Sequence, residues 1–245
     1  MKIIGVIPAR YQSSRFPGKP LVDLAGKPMI WWVYQQCKKV GGLDEVYVAT
    51  DSEQIEQVCK KYQMNVIMTS EKHQTGTDRL GEVANKIVAD YYINIQGDEP
   101  LIEPATIQKV IDKCVETKSD VVNTVTPIYN DKDVTSNTCV KVVITREGNG
   151  IYLSRAPIPY PKKGQKIQYK KHLGLYGLKR EALLFFARTP RGEIEQIEDI
   201  EMLRFLENGY QIKFVEVASE TVAIDKPEDA ERVRNIIRGK NNGND

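Results

Sequence analysis

The sequence predicts an α/β protein with a mainly parallel β-sheet that helices cover on both faces. Short β-rich runs alternate with helical patterns of about ten residues through the first half of the chain, the spacing of βαβ units. The strand patterns lie at residues 2–7, 45–50, 65–68, 91–95 and 120–125. The helical patterns lie at residues 29–39, 53–62, 78–88 and 104–116.

The second half of the chain departs from this alternation. Strand patterns at 140–144, 150–154 and 169–178 follow one another without a helix between them, and the Pro-rich run APIPYP lies among them. We interpret residues 126–180 as a β-rich insertion in a single domain, used for dimer contact. The remaining patterns are helices at 181–187, 195–207 and 227–238, a strand at 211–217 and a flexible tail at 239–245.

Length and charge exclude several classes of protein. A chain of 245 residues with 41% hydrophobic and 28% charged residues has the composition of one globular domain. A formal net charge of only +2 is unlike a nucleic-acid-binding surface, which shows a clear basic excess. Any affinity for anions must therefore come from local clusters of cations.

Cysteine and histidine usage predicts a reduced, cytoplasmic protein without a zinc site. The four cysteines are far apart and form no C-x-x-C pair, and there are only two histidines. The apolar run at residues 3–7 is too short for a signal peptide, and no stretch is long enough to span a membrane. The cysteines are Cys37, Cys59, Cys114 and Cys139.

The opening segment MKIIGVIPARYQSSRFPGKP places three cations, Arg10, Arg15 and Lys19, after the first strand and without an acidic residue. Loops that leave the carboxyl end of a parallel strand are where α/β sheets bind ligands, and small residues let backbone N–H groups approach a phosphate. Pro20 follows Gly18-Lys19, so the segment is not a Walker A loop. Phosphate binding is favoured, and a solvated basic loop is the alternative.

Two aspartates follow predicted strands and are candidate metal ligands. Asp98 lies in QGDEP after YYINI, and Asp225 lies in AIDKPED after the last strand. Carboxylates at these places can hold Mg²⁺ against the phosphates of a nucleotide. Each can instead cap the helix that follows it. The pattern leaves both interpretations open for Asp98 and favours the cap for Asp225.

The stretch TGTDR, residues 75–79, opens a predicted helix. Its small and hydroxyl residues can donate N–H groups to an anion or a base. The alternative, which the pattern alone favours, is a helix N-cap at Thr77 with Asp78 stabilising the helix dipole.

Taken together, the motifs resemble the cytidylyltransferases that activate 2-keto-3-deoxy sugar acids, above all the CMP-Kdo synthetase family (Kdo is 3-deoxy-D-manno-octulosonate). They occur in order over nearly the whole chain. The matching motifs are PARYQSSRFPGKPL (8–21), GKPMI (26–30), VATD (48–51), TGTDR (75–79), NIQGDEP (94–100), YLSRAPIPY (152–160), KHLGLYG (171–177), IEMLR (200–204) and IDKPED (224–229).

The resemblance implies the nucleotide-diphospho-sugar transferase fold, a three-layer α/β sandwich, and a homodimer. It implies a reaction in which CTP and the sugar acid give CMP-sugar and pyrophosphate with Mg²⁺, for lipopolysaccharide or capsule. An amino-modified Kdo, such as 8-amino-Kdo, and a sialic-type acid are the alternative substrates. A non-catalytic nucleotide-sugar binding module is the alternative from another class.

The resemblance also implies residue roles. Catalytic roles fall to Arg15, Lys19, Asp98 and Asp225, of which Asp98 and Asp225 are the metal ligands. The nucleotide-binding residues are Pro8, Ala9, Arg10, Ser13, Ser14, Arg15, Lys19, Thr77, Asp78, Arg79 and Gln96. The sugar-binding residues are Arg155, His172, Tyr176 and Glu201, with His172 favoured as a hydrogen-bonding group over a general base.

Two positions depart from the family pattern. Met202 stands where the family commonly has Gln, and Lys226 stands where it usually has Thr. Met202 removes hydrogen-bonding capacity near the sugar if it faces the pocket, whereas it has no such effect if it faces the core. These departures leave CTP and metal binding untouched and put the identity of the sugar acid in question.

Overall fold

The structure, a computed structural model, describes residues 1–12, 16–218 and 222–241. Its strands are β1 (Ile3–Ala9), β2 (Asp23–Leu24), β3 (Lys27–Pro28), β4 (Glu45–Thr50), β5 (Val66–Met68), β6 (Tyr91–Asn94), β7 (Val121–Pro127), β8 (Lys141–Ile144), β9 (Gly150–Ser154), β10 (Lys170–Lys179) and β11 (Ile212–Glu216). Its α-helices are α1 (Met29–Lys38), α2 (Glu53–Lys61), α3 (Gly76–Lys86), α4 (Pro104–Thr117), α5 (Asp131–Thr135), α6 (Arg180–Arg188), α7 (Glu193–Glu198), α8 (Met202–Glu207) and α9 (Pro227–Asn241).

The central sheet has the strand order β11-β7-β10-β6-β1-β4-β5. Strands β6, β1, β4 and β5 pair in parallel, β11 pairs with β7 in parallel, and β10 runs antiparallel to both of its neighbours. The predicted α/β class with a mainly parallel sheet is therefore confirmed. β1 is buried almost throughout as IIGVIPA, because helices cover both faces of the sheet.

Two apolar clusters lie on the two faces of the sheet. One contains Ile30 and Val33 from α1 with Ile107 from α4. The other contains Leu80 from α3 and Phe186 from α6, among others. This three-layer arrangement holds β1 and β6 side by side at the centre of the molecule.

Part of the predicted β-rich insertion belongs to the central sheet. β10 lies between β6 and β7, although the sequence pattern placed it in an insertion over 126–180. Among the described strands of the predicted insertion, only the β8–β9 hairpin lies off the path of the central sheet, and β8 joins β10 at the pair Lys141 and Lys171. Long-range antiparallel pairing of β10 leaves no signal in the local pattern.

The helix predicted over 195–207 is wrong as a single element, since the structure has α7 and α8 there. Asp199 adopts a positive φ of 50° and ends α7. The guanidinium of Arg155 donates to the carbonyl oxygens of Glu198 and Asp199, at 2.6 and 2.9 Å. These carbonyls are thus satisfied by a distant side chain instead of by the next helical turn.

The last helix and a small hairpin form a separate apolar cluster. α9 contributes Ala230, Val233 and Ile237, which pack with Leu24 of β2 and Met29 of α1. α9 continues to Asn241, three residues beyond the predicted end at 238, and residues 242–245 of the predicted tail lie outside the described residues. The β2–β3 hairpin and α5 were not predicted, because such short elements have no periodicity.

The contact between α3 and α6 depends on a glycine. A Cβ added at Gly81 would lie 2.5 Å from Cβ of Ala187. We expect Gly81→Ala to lower the free energy of unfolding by about 1–2 kcal/mol, because overpacking outweighs the gain of about 1 kcal/mol in helix propensity. Denaturant unfolding measures this change.

The matched control is the double variant Gly81→Ala with Ala187→Gly, which removes the clash. It should be more stable than the sum of the two single effects predicts. If Gly81→Ala is as stable as the unsubstituted protein, the close helix contact is wrong.

Candidate active site

The loops after β1 and β6 leave the sheet at the same edge, because these two strands are parallel neighbours. They enclose a cavity of about 390 Å³. Six of its lining residues were predicted as site residues from the sequence, namely Pro8, Ala9, Arg10, Lys19, Gln96 and Asp98. The others are Gln12, Pro20, Met29 and Gly97.

Lys19 and the two candidate metal ligands meet at this cavity. The ammonium of Lys19 lies 2.8 Å from Asp98 Oδ2 and 3.7 Å from Asp225 Oδ1. Ile224 N donates to the carbonyl oxygen of Asp98 at 2.9 Å, which brings the chain before α9 against the loop after β6. The structure therefore places Asp98 and Asp225 together, as the sequence motifs predicted.

The donor set fits a magnesium ion that is shared with a substrate. In the described residues, no group of three or more Asp, Glu, His or Cys side chains is arranged to hold a metal. Mg²⁺ is commonly held by one or two carboxylates together with phosphate oxygens and water. Asp98 and Asp225 supply the carboxylates, and a cation already lies between them as the ammonium of Lys19.

The basic loop after β1 is anchored at both ends. Gly18, at a φ of 71°, donates its N–H to the carbonyl oxygen of Tyr11 at 2.8 Å and precedes a 3-10 helix over Lys19–Leu21. Arg10 Nη1 donates to the carbonyl oxygen of Gln74 at 3.4 Å, which joins this loop to the start of α3. The predicted residues Ser13, Ser14 and Arg15 lie outside the described residues.

A second cavity, of about 430 Å³, adjoins the first. Arg10 and Gln12 line both cavities, and Asp51 and Ser52 at the end of β4 line the second. The loops after three neighbouring parallel strands thus contribute to one continuous polar edge of the sheet.

The N-cap of α3 is Thr75, which corrects the prediction of Thr77. Thr75 and Asp78 form a capping box, in which Thr75 Oγ1 accepts from Asp78 N and Asp78 Oδ2 accepts from Thr75 N, both at 3.1 Å. Arg79 is only 1% exposed and donates to Asp51 Oδ2 at 2.6 Å and to Thr69. These contacts make Asp78 and Arg79 structural residues of the loop, and direct nucleotide contact by either remains a prediction.

Thr77 joins residues predicted for the nucleotide to residues predicted for the sugar. Its hydroxyl lies 2.6 Å from the Tyr176 hydroxyl, and its N–H donates to Glu201 Oε2 at 3.3 Å. Burial raises the pKa of Glu201 despite the hydrogen bonds from Thr77, and burial also raises the pKa of the Tyr176 phenol. The phenol therefore stays protonated and can donate a hydrogen bond at neutral pH.

Arg204 supports the start of α3, where Thr77 lies. Its guanidinium forms two hydrogen bonds of 2.7 Å to the buried carboxylate of Glu195 and donates to Asp78 Oδ1 at 3.3 Å. It also stacks 3.7 Å above the centre of the Phe186 ring. α8 therefore holds the start of α3 through both Glu201 and Arg204.

Gln96 connects the cavity to β10. Its Nε2 donates to the carbonyl oxygen of Gly174 at 3.0 Å, two residues before Tyr176. A Cβ at Gly174 would lie 2.8 Å from Gln96, so the approach requires glycine. β10 therefore contacts both the cavity residue Gln96, through Gly174, and Thr77, through Tyr176.

His172 is a neutral hydrogen-bonding group in the structure. Thr124 N donates to Asn123 Oδ1 at 2.6 Å, which fixes the orientation of the amide, and Asn123 Nδ2 then donates to His172 Nε2 at 2.9 Å. The ring proton must therefore lie on Nδ1. Burial lowers the pKa of His172 to about 4, which agrees with this tautomer.

The Arg155 side chain donates hydrogen bonds to backbone carbonyl oxygens. In addition to its bonds to the end of α7, its Nη1 donates to the carbonyl oxygen of Asn137 at 2.8 Å. Its own carbonyl accepts from the buried ammonium of Lys141 at 2.6 Å. These contacts give Arg155 a structural role, and sugar binding by Arg155 remains a prediction.

Neither departure from the family pattern is among the residues that line the two described cavities. Met202 is 1% exposed and packs in the apolar cluster with Leu203 and Phe205, so it faces the core. Lys226 is exposed at the start of α9. Of the two possibilities for Met202, the structure therefore shows the one in which its side chain faces the core.

Several residues of the site carried no signal strong enough to find from the sequence. Gln12 is an ordinary polar loop residue, and Asn123 and Arg204 act through partners far along the chain. Gly97 carried a signal, since glycine beside Asp98 indicates a close approach. A Cβ there would lie 2.8 Å from the carbonyl oxygen of Pro8.

Comparison with solved structures defines the class of protein. A putative glucose-1-phosphate thymidylyltransferase from Bacillus anthracis superposes with a TM-score of 0.66 at 15% identity, over 96% of this chain and 95% of that chain. At this identity the likeness shows the fold alone, which is that of the nucleotide-diphospho-sugar transferases.

The chain belongs to the cytidylyltransferase family, whose model matches residues 4–214. It is 41% identical to the 3-deoxy-manno-octulosonate cytidylyltransferase of Escherichia coli, over 96% of both chains. It is 44% identical to the protein of that name from Geobacter metallireducens, over 95% of this chain and 96% of the other. These findings confirm the resemblance that the motifs indicated.

A solved CMP:2-keto-3-deoxy-manno-octonic acid synthetase complexed with CTP is similar over the whole chain. Its TM-score is 0.94 at 40% identity, covering 98% of this chain and 100% of that chain. Within the described part of this protein, no helix is both long and apolar enough to cross a membrane.

The tautomer of His172 is directly measurable. We expect ¹⁵N NMR to show a neutral ring with its proton on Nδ1 from pH 5 to 8, because the pKa is about 4. Asn123→Asp places a carboxylate beside Nε2 and should raise this pKa by about 1–3 units. The aspartate can still accept from Thr124 N, so the local backbone is kept.

His73 is the only other histidine, so His73→Gln assigns the signals. An imidazolium signal from His172 at pH 6 in the unsubstituted protein would contradict the proposed hydrogen-bond direction.

Proposed function

We propose that the protein is a cytidylyltransferase that transfers CMP from CTP to Kdo and releases pyrophosphate. The observation that carries this proposal is the meeting of Lys19, Asp98 and Asp225 at the carboxyl edge of the sheet, in a chain of the cytidylyltransferase family. The names of relatives 41% and 44% identical supply the sugar acid. A role in lipopolysaccharide synthesis is consistent with that substrate.

The nucleotide lies, in this proposal, along the loop after β1. Arg10 and Lys19 line the cavity and carry the charge that a triphosphate requires. Ser13, Ser14 and Arg15, which lie outside the described residues, are assigned to the triphosphate by the resemblance. The transfer depends on positioning and on charge neutralisation, so these cations need not exchange protons.

Asp98 and Asp225 hold Mg²⁺ in this proposal. When bound, Mg²⁺ neutralises triphosphate charge and lowers the pKa of the sugar C2 hydroxyl, which is otherwise a poor nucleophile. The two carboxylates fix where that charge lies relative to the cations of the β1 loop. Ile224 N supports the arrangement through its bond to the carbonyl oxygen of Asp98.

The sugar acid is assigned to the side of the site next to β10. Tyr176 and Glu201 both contact Thr77, and the protonated phenol and the neutral His172 ring are suited to binding hydroxyl groups. A pKa of about 4 makes His172 a weak base at neutral pH, which favours hydrogen bonding over proton transfer. Sugar hydroxyl attack on the α-phosphorus then expels pyrophosphate.

The core position of Met202 removes one reason to doubt Kdo as the substrate. An amino-modified Kdo and a sialic-type acid stay as alternative substrates, and TGTDR and QGDEP favour the Kdo type. A capsule pathway and a cytoplasmic location are proposals that rest on the resemblance and on the composition.

We expect a homodimer of the 27.8 kDa chain. Tyr129, Ile151 and Tyr160 are 81%, 57% and 82% exposed, and all three lie in residues 126–180, the region predicted for dimer contact. Exposed apolar side chains that form one patch mark an interaction surface, and the dimer proposal requires these three to form one. Sedimentation equilibrium should give twice the chain mass, whereas a monomer at micromolar concentration would contradict the dimer.

Turnover tests the proposed reaction. With CTP, Mg²⁺ and a panel of Kdo, 8-amino-Kdo and a sialic acid, we expect pyrophosphate release with Kdo as the preferred substrate. Omission of Mg²⁺ with a chelator should abolish release, because the triphosphate charge is then not neutralised. CTP binding without release for any acid would support the binding-module alternative.

Asp98→Asn links this turnover to the site. It should lose at least about a hundredfold in kcat at every Mg²⁺ concentration, because it removes a metal-holding charge. Asp120→Asn is the matched control, since Asp120 accepts from Lys179 at 2.8 Å, the same distance as Asp98 from Lys19. Near-normal turnover by Asp98→Asn would remove Asp98 from the metal role.

A further inference from the structure

One ammonium group lies between the two carboxylates that are proposed to hold the metal. Lys19 Nζ is 2.8 Å from Asp98 Oδ2 and 3.7 Å from Asp225 Oδ1, and the Lys19 side chain is only 16% exposed. Lys19 is also the cation assigned to the triphosphate. The Lys19 ammonium thus has two candidate partners, the carboxylates and a phosphate. It can contact both at once only if the phosphate binds next to the carboxylates.

The backbone holds all three residues at this place. Gly18 and Pro20 frame Lys19 in a short 3-10 helix, where Lys19 N donates to the carbonyl oxygen of Phe16 and Lys19 O accepts from Val22 N. The bond between Ile224 N and Asp98 O fixes the two acidic segments against each other. The ammonium is therefore the part of this cluster that is free to move, at the end of a four-carbon chain.

We propose that Lys19 is an internal placeholder for the divalent cation. In the free protein its ammonium lies between Asp98 and Asp225 and offsets their mutual repulsion. A divalent cation that binds the same carboxylates alone meets the charge of Lys19 at close range, where like charges repel strongly. The triphosphate removes this repulsion, because it gives the ammonium a new anionic partner and adds oxygen ligands for the metal.

In the placeholder role, Lys19 makes metal binding depend on the nucleotide. It weakens the binding of metal to the free protein, and this effect disappears when the nucleotide is bound. A lysine that serves only as a phosphate contact has no effect on metal binding without nucleotide. The two roles therefore give different results for one substitution, a gain in metal affinity or no change. The inference rests on the proposed function for the metal role of Asp98 and Asp225 and for the nucleotide.

The experiment measures Mn²⁺ binding to the intact chain without nucleotide, by electron paramagnetic resonance of free Mn²⁺. We expect Lys19→Met to bind Mn²⁺ about tenfold more tightly than the unsubstituted protein, because the competing charge is gone. Lys19→Arg keeps the charge and should show no such gain. Adding Asp98→Asn to Lys19→Met should abolish the gain.

Lys179→Met is the matched control. Lys179 Nζ lies 2.8 Å from Asp120 Oδ1, and its residue pairs with Tyr91 at the start of β6, the edge of the sheet opposite to the cavity. It removes the same net charge, so Mn²⁺ affinity within about twofold of the unsubstituted protein is expected. An equal gain in both variants would mean a general charge effect and overturn the proposal.

Unchanged or weaker Mn²⁺ binding by Lys19→Met, with an unfolding temperature close to that of Lys19→Arg, overturns the placeholder role. If Lys19→Met does not fold, Lys19→Gln takes its place, because it also removes the charge: a gain in Mn²⁺ affinity then supports the proposal and an unchanged affinity overturns it. None of these experiments measures turnover. Absence of pyrophosphate release therefore rejects the proposed function and leaves the Mn²⁺ result standing.

Discussion

The parallel pairing of β1 with β6 is the constraint on which the site depends. In parallel neighbours the carboxyl ends lie at one edge, so Ala9 and the loop that bears Asp98 emerge together. The apolar sequences of both strands make this pairing possible, since they are buried by helices on both faces. The charged residues are then brought together by the loops that follow these strands. The buried strands therefore determine where the site lies, and the side chains of the loops determine which ligands it can bind.

The second organising feature is Thr77, where residues predicted for the nucleotide contact residues predicted for the sugar. Tyr176 from β10 and Glu201 from the chain before α8 converge on it, and Arg204 holds Asp78 one residue further. β10 is antiparallel in an otherwise parallel set of strands, which lets it present Tyr176 beside the start of α3. A displacement of α8 would therefore move both halves of the site. Positioning of two substrates for in-line attack requires such shared supports.

Local sequence patterns predicted the strands and helices well, and failed where a distant partner decides the structure. The strand at Glu45–Thr50 has its predicted bounds because the apolar run itself defines it. The helix predicted over 195–207 breaks at Asp199 because Arg155, far along the chain, donates to the carbonyls there. Thr77 was assigned as the N-cap on residue type, whereas the capping box of Thr75 with Asp78 decides the start of α3. Asp98 and Asp225 were assigned as metal ligands by motif, since the pattern alone did not separate a ligand from a cap, and that role stays a prediction.

Local charge at the site is balanced in a way that net charge cannot reveal. A chain of net charge +2 brings Arg10, Lys19 and Asp98 to one cavity, where the Lys19 ammonium also lies 3.7 Å from Asp225. Ion pairing of Lys19 with Asp98 keeps this polar edge stable without a ligand, because unpaired charges in a partly enclosed cavity are costly. A ligand that carries both signs, as a metal-bound triphosphate does, can take over both halves of that pair at once. A ligand of one sign can take over only one half and leaves the other charge without its partner. The same ion pair therefore supports the fold without ligand and favours the complete substrate over its parts.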